Sequence, residues 1–191
     1  IDTYHRSGLY PLQINFPICP GIEAAGEIIG KGENVQNFEI GDRVCYATVP
    51  LGAYCEIRDF PSANIVKIPK NISNDIAASI FLKGMTVEYL FERLYEIKSD
   101  EYILFHAAAG GVGLIACQWA RSLGSKIIGT VSTKEKEELA LKNGCEFVIN
   151  YKKENVFDKA KEITNGKMVN VVYDGVGQDT FQTSIDCLSL R

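Results

Sequence analysis

The sequence predicts an α/β chain in two parts, a partial β-rich region followed by a Rossmann-type parallel sheet of about four strands. Three observations carry this. Short apolar runs punctuated by Gly and Pro fill residues 1 to about 72. After Ser99 the hydrophobic pattern changes to strands alternating with amphipathic runs. Between the first of those strands and the first of those helices lies a small-residue cluster, "HAAAGGVGLIACQWARSLG", at 106–124.

In the first part, "EAAGEIIGKG", "GDRVCYATV" and "GAYCEI" read as short strands, with turns at Pro20-Gly21, Lys31-Gly32 and Gly41-Asp42. Two helical runs follow Ser73, "NDIAASIFL" and "TVEYLFERLYEI", separated at Gly84. Strands are then expected at 102–106, 126–130, 146–149 and 169–173, and helices at 111–123, about 134–142, about 154–164 and near 178–188. Successive strands joined by helices require right-handed crossovers and hence a parallel sheet. The expected division is 1–85, a partial catalytic domain with a bridging helix, and 86–191, a nucleotide-binding domain. Four strands are fewer than the six of a doubly wound nucleotide domain, so the chain is expected to be incomplete and to self-associate through an apolar edge at 169–173.

Composition narrows the partner. With 46% hydrophobic residues and a net charge of −4, the chain has no long-range attraction for nucleic acid or for an anionic membrane, although local basic patches are compatible with it, and a small molecule is the default partner. The charge-free stretch from Tyr102 to Ala120 is broken by glycines, a His and a Gln, and does not read as a membrane span. Six cysteines without a C-x-x-C pair suit free thiols in a cytoplasmic setting, and no targeting peptide is legible at the start.

The 106–124 cluster has the spacing Ala107-x-x-Gly110-x-x-Gly113, a variant of G-x-G-x-x-G with Ala in the first place. Small residues let the backbone approach a pyrophosphate, and the following helix offers N–H groups and a positive dipole end. In the helix, Val112, Ile115, Ala116, Trp119 and Leu123 form an apolar stripe, with Gly124 at the C-terminal cap. A dinucleotide site selective for NAD places an acid after the second strand. Here "GTVSTKEK" offers Ser132 and Lys136 instead, a hydroxyl and a cation suited to a 2'-phosphate. Ser132 also reads as the cap of a Ser132–Glu135 capping box, and Glu135, Glu137 and Glu138 weigh against a strongly positive pocket. His5 reads as a surface or strand residue, and His106 as a hydrogen-bonded packing residue.

The segments "DTYHRSGLYP", "PGIEAAGEIIGKGENV", "FLKGMTVEYLF", "LFHAAAGGVGLIACQWA", "VINYKKE" and "VVYDGVG" resemble, in order along the whole chain, the zinc-free, zeta-crystallin-like NADPH:quinone oxidoreductases of the medium-chain dehydrogenase/reductase superfamily. The resemblance implies a GroES-like β-barrel domain, an NADPH-binding Rossmann domain, a quinone substrate and a homodimer. It places Tyr4, Arg6 and Tyr10 at the quinone and nicotinamide, and Lys83 and Thr86 near the nicotinamide and ribose. It places Ala109, Gly110, Gly111, Val112 and Gly113 at the phosphates, Tyr151 over the adenosine phosphate, and Val176 and Gly177 at the carboxyl edge of the sheet. Ile22 stands where zinc-dependent relatives carry a histidine ligand, so no metal is expected. An enone reductase of the same superfamily and a non-catalytic NADPH-binding protein are the alternatives.

Overall fold

A computed structural model of the chain describes residues 1–10 and 17–190. Packing divides it into two units, residues 1–82 and 83–191.

The first unit begins with a helix, α1 (Asp2–Ser7), ended by Gly8 in the left-handed region at φ 75°. His5 is therefore a buried helical residue, 4% exposed, and not the strand or surface histidine expected. Three antiparallel strands follow, β1 (Glu23–Glu27), β2 (Arg43–Ala47) and β3 (Val66–Lys67), in the order β1-β2-β3. Ala25 faces Cys45 and Val44 faces Lys67 across the ladders. Cys45, Ile68 and Ala77 form the local core with Ala25, Ile72 and Phe81 packed against them. The expected strand "GAYCEI" does not form; the segment is loop, its Gly52 and Ala53 N–H groups donating to the Gly21 carbonyl and that of Tyr54 to the Pro20 carbonyl, while next to it the Arg58 guanidinium donates to Tyr46 Oη at 3.0 Å and to the carbonyls of Pro50 and Leu51.

Gly84 breaks nothing. α2 runs unbroken from Asn74 to Glu88 and passes into a wider helical turn over Tyr89–Leu94. A single glycine costs a helix about 1 kcal/mol against alanine, too little to end one flanked by Leu82, Lys83 and Met85.

The second unit holds a parallel sheet of β4 (Tyr102–Phe105), β5 (Lys126–Val131), β6 (Phe147–Asn150) and β7 (Val171–Tyr173) in the order β6-β5-β4-β7. The sheet is parallel as expected, with the second strand beside the first and the fourth on the first strand's other side. The connecting helices are α3 (Gly111–Ser122), α4 (Lys134–Lys142) and α5 (Val156–Ile163), and α6 (Phe181–Asp186) follows β7. Alternate strand residues bury opposite faces: Ile103, Phe105 and Ile127 join one core with Ala116, Cys117 and Ala120 of α3, while Leu104, Ile128 and Ile149 join another with Ala160 of α5. The α3 stripe packs as expected at Ala116, with Val112, Ile115 and Trp119 against the same core; Gly113, Cys117 and Ala120 are buried beside them, and of the expected residues Leu123 is exposed. Close contact with the sheet selects the smallest side chains. The edge expected to lie bare is partly covered: Val169 is fully buried, and Ser189 donates to its carbonyl at 2.8 Å as the chain returns from α6. Among the described residues no helix is long and apolar enough to cross a membrane, and all six cysteines are free.

Candidate dinucleotide site

The glycine cluster forms the turn between β4 and α3. Ala107 takes a left-handed conformation, φ 55°, where a glycine would be unstrained. Two bonds to one residue hold it: Thr130 Oγ1 accepts from the Ala107 N–H at 3.3 Å, and the Thr130 carbonyl accepts from the Ala108 N–H at 3.1 Å. Gly110 then starts α3 with no side-chain cap, so the first amides of the helix have no internal acceptor. Gly113 packs against the turn itself. A Cβ there would lie 2.5 Å from the Ala108 carbonyl oxygen and 2.7 Å from that of Ala107. At Gly111 a Cβ would meet the aliphatic chain of Lys83 at 2.8 Å.

In front of this turn is a cavity of about 470 Å3. Ala107, Ala109 and Gly110 form its floor, Val131, Ser132 and Lys136 one wall, Tyr151 and Val156 another, and Val176, Asp179, Thr180 and Thr183 the last. Of the candidates, the structure thus brings together Ala109, Gly110, Ser132, Lys136, Tyr151 and Val176. Lys136 Nζ lies 3.4 Å from Ser132 Oγ. Ser132 is not the helix cap. That role falls to Thr133, whose side chain accepts from the Lys136 N–H at 3.3 Å, because α4 starts one residue later than a Ser132 cap requires. The acids flanking Lys136 do not line the cavity. Glu135 turns its carboxylate back onto its own backbone N–H and Thr133, which lowers its pKa. Lys136 and Asp179 are the charged groups on the wall among the described residues.

The remaining candidates fall outside this lining. Gly111, Val112 and Gly113 form the first turn of α3. Lys83 and Thr86 lie inside α2, not beside a helix break. Gly177, at φ 92°, donates its N–H to Asp174 Oδ1 at 3.0 Å. Tyr4, Arg6 and Tyr10 belong to the first unit, where Tyr10 donates its N–H to the Tyr4 carbonyl at 3.2 Å and sets its ring edge-on to His5. Tyr4 and Tyr10 are about half exposed, 53% and 52%. Among the described residues no three His, Cys, Asp or Glu side chains converge as a metal site.

His106, Thr130 and Thr180 also line the cavity and belong to a polar cluster that sequence reasoning missed except for His106, which is buried and hydrogen-bonded as expected. His106 Nδ1 is 3.1 Å from Thr130 Oγ1 and its Nε2 is 3.0 Å from Ser184 Oγ. Ser184 donates to Asp174 Oδ2 at 2.6 Å. Asp174 Oδ1 accepts from the N–H groups of Val176 and Gly177 and from Thr180 Oγ1, at 2.9, 3.0 and 2.8 Å. Burial alone would raise the Asp174 pKa; the bonds from Ser184, Gly177, Thr180 and Val176 outweigh it and hold the carboxyl well below its usual range. Burial pushes the His106 pKa down, against the pull of Asp174. The sequence signal was a hydroxyl or acid at the carboxyl end of each of two strands, Thr130 and Asp174.

Comparison with known proteins gives matches along both units. Residues 1–89 match the family described as alcohol dehydrogenase GroES-like domain, and residues 111–191 the family described as zinc-binding dehydrogenase. Over 191 residues the chain is 53% identical to quinone oxidoreductase 1 of Escherichia coli (strain K12), covering 100% of this chain and 58% of that protein. It is 47% identical over 195 residues to a 2-haloacrylate reductase of a Burkholderia species, covering 100% of this chain and 59% of that protein. A crystal structure of the Escherichia coli quinone oxidoreductase complexed with NADPH matches with a TM-score of 0.94 and 53% identity, over 100% of this chain and 58% of that one. The chain thus spans less than two thirds of the length of the relatives it matches.

Proposed function

Because the chain belongs to the medium-chain dehydrogenase/reductase superfamily, we propose that it carries the NADPH site of a quinone reductase that works without zinc. The observation that carries the reading is the cavity in which Lys136 and Ser132 stand over the floor of Ala109 and Gly110. The uncapped start of α3 fits a pyrophosphate, and a lysine paired with a hydroxyl fits a 2'-phosphate. An absent carboxylate at Ser132 removes the group that would select NAD.

When bound, NADPH supplies a hydride to an electrophilic acceptor. The chain's own part is positioning. Gly111, Val112 and Gly113 direct backbone amides at phosphate oxygens, Tyr151 covers the adenosine side, Val176 and Gly177 shape the wall after β7, and Lys83 and Thr86 attend the ribose and nicotinamide. Tyr4 and Tyr10, with Arg6 beside them, supply hydroxyl and cationic donors for an oxygen that gains charge on reduction. Ile22 in place of a histidine ligand supports a reaction on a quinone, which is electrophilic without a Lewis acid. The full protein is a cytoplasmic homodimer on this reading, and the six free thiols suit a reducing compartment.

The match to a 2-haloacrylate reductase favours a second reading, an activated alkene as acceptor. Following NADPH absorbance with a small quinone and, separately, with 2-chloroacrylate distinguishes the two. The proposal expects turnover with the quinone; turnover with the haloacrylate alone supports the second reading. NADPH binding by fluorescence with neither turnover supports a binding role only.

A further inference from the structure

Four polar side chains join the Ala107 turn to the loop after β7, and their donors and acceptors admit one direction. Ser184 Oγ has one proton, and its 2.6 Å contact with the Asp174 carboxylate, which holds no proton, uses it. Ser184 Oγ must then accept from His106, so Nε2 carries the ring proton. Nδ1 is therefore the acceptor, and Thr130 Oγ1–H donates to it. Thr130 Oγ1 in turn accepts from the N–H of Ala107. The chain runs from the Ala107 amide through Thr130, His106 and Ser184 to Asp174, and Asp174 Oδ1 closes the Val176 and Gly177 amides.

We propose that His106 is a positioning residue: its neutral imidazole, protonated at Nε2, holds the Ala107 turn and the Asp174 loop in the arrangement that shapes the cavity, and a second ring proton breaks that hold. A proton on Nδ1 turns that nitrogen into a donor. Thr130 Oγ1 can accept from both Nδ1 and Ala107, but its own proton, buried with the side chain, then loses its acceptor, and that unmet donor is what works against the arrangement. The left-handed conformation is sterically disfavoured for Ala107, and the bonds to Thr130 and from the Gly110 N–H to the Ala107 carbonyl hold it there. The charged and titratable groups facing the ring and its cavity are Asp174 from the loop after β7, whose Oδ2 lies 4.0 Å from Nε2, Asp179 ahead of α6, Lys136 on α4 and Tyr151 after β6. Asp174 favours the second proton and burial opposes it, with burial the larger effect. The neutral ring is thus the resting form at neutral pH, and acid is what removes it.

The effect on NADPH rests on the cofactor reading above, so the test separates the two. The chain has two histidines, which makes their ring signals in long-range 1H–15N spectra easy to distinguish. The expected spectrum shows His106 as the Nε2–H tautomer, with the Ala107, Val176 and Gly177 amides shifting at the same pH midpoint as the ring. In Ser184→Ala the Val176 and Gly177 amides lose that midpoint and Ala107 keeps it. An Nδ1–H tautomer, an unchanged Val176 and Gly177 response in Ser184→Ala, or a ring that stays neutral until the chain unfolds overturns the proposal. In parallel, the NADPH dissociation constant, read by fluorescence, is expected to rise toward tenfold per pH unit below that midpoint, and to lose this dependence in His106→Gln. An equal pH dependence in His106→Gln also overturns it. NADPH that binds at no pH overturns the cofactor reading instead, and the spectra still decide the role of His106.

Discussion

Lys136 Nζ stands 3.4 Å from Ser132 Oγ, a cation and a hydroxyl four residues apart, and both line the same cavity as Gly110. Capping by Thr133 makes this possible, since it relieves Ser132 of the helix terminus. Lys136→Ala removes one charged hydrogen bond to a 2'-phosphate, worth roughly 1.5–3 kcal/mol, or about ten- to a hundred-fold in NADPH affinity. NADH affinity should stay nearly unchanged. Parallel titrations with both cofactors check this, and equal losses assign Lys136 no part in the selection.

Gly113 and Gly84 are predicted to respond oppositely to alanine. At Gly113 the new Cβ meets backbone atoms of Ala107 and Ala108 within 2.7 Å, which cannot rotate away. A loss of about 1–3 kcal/mol is expected, with weaker NADPH binding as α3 is pushed off the turn. At Gly84, inside α2, nothing lies within 4 Å of the Cβ. Gly84→Ala should stabilise by up to about 1 kcal/mol. Urea denaturation of both variants measures the two signs.

Acid should uncouple the loop after β7. The Asp174 pKa is depressed in the folded chain, so its contribution is fully present above its ordinary value of 3.8 and is lost as pH falls below that. Asp174→Asn is expected to cost roughly 1.5–3 kcal/mol at pH 7 and to flatten stability below pH 3.8. Denaturation midpoints of both proteins across pH 3–7 test the sign; parallel curves contradict it.

Tyr4→Phe and Tyr10→Phe should lower kcat/KM for the quinone while leaving NADPH affinity intact, because each removes a donor and nothing from the cavity wall. Unchanged kinetics in both variants reduce the tyrosines to packing. Activity that vanishes on chelation and returns with zinc contradicts metal-free reduction.

The strands of the second unit and the turn were legible because both depend on local pattern: buried runs such as Tyr102–Phe105 and the small residues from Ala107 to Gly113 leave few alternatives. Errors fell where context decides. "GAYCEI" has strand composition, yet the amides of Gly52, Ala53 and Tyr54 bond the distant Pro20-Gly21 turn and not a strand partner. Gly84 looked like a stop because a glycine's cost is visible in sequence and its neighbours' helical support is not. His5 sits in a helix whose few residues carry no period. The Asp174–Ser184–His106–Thr130 cluster escaped notice because its members are far apart in sequence and meet through the sheet order.

Calorimetric titration of the chain with NADPH and with NADH tests the central claim most directly. NADPH is expected to bind at least tenfold more tightly than NADH, with the difference disappearing in Lys136→Ala. Equal affinities in the unsubstituted chain, or a preference that survives Lys136→Ala, contradict the assignment of this cavity.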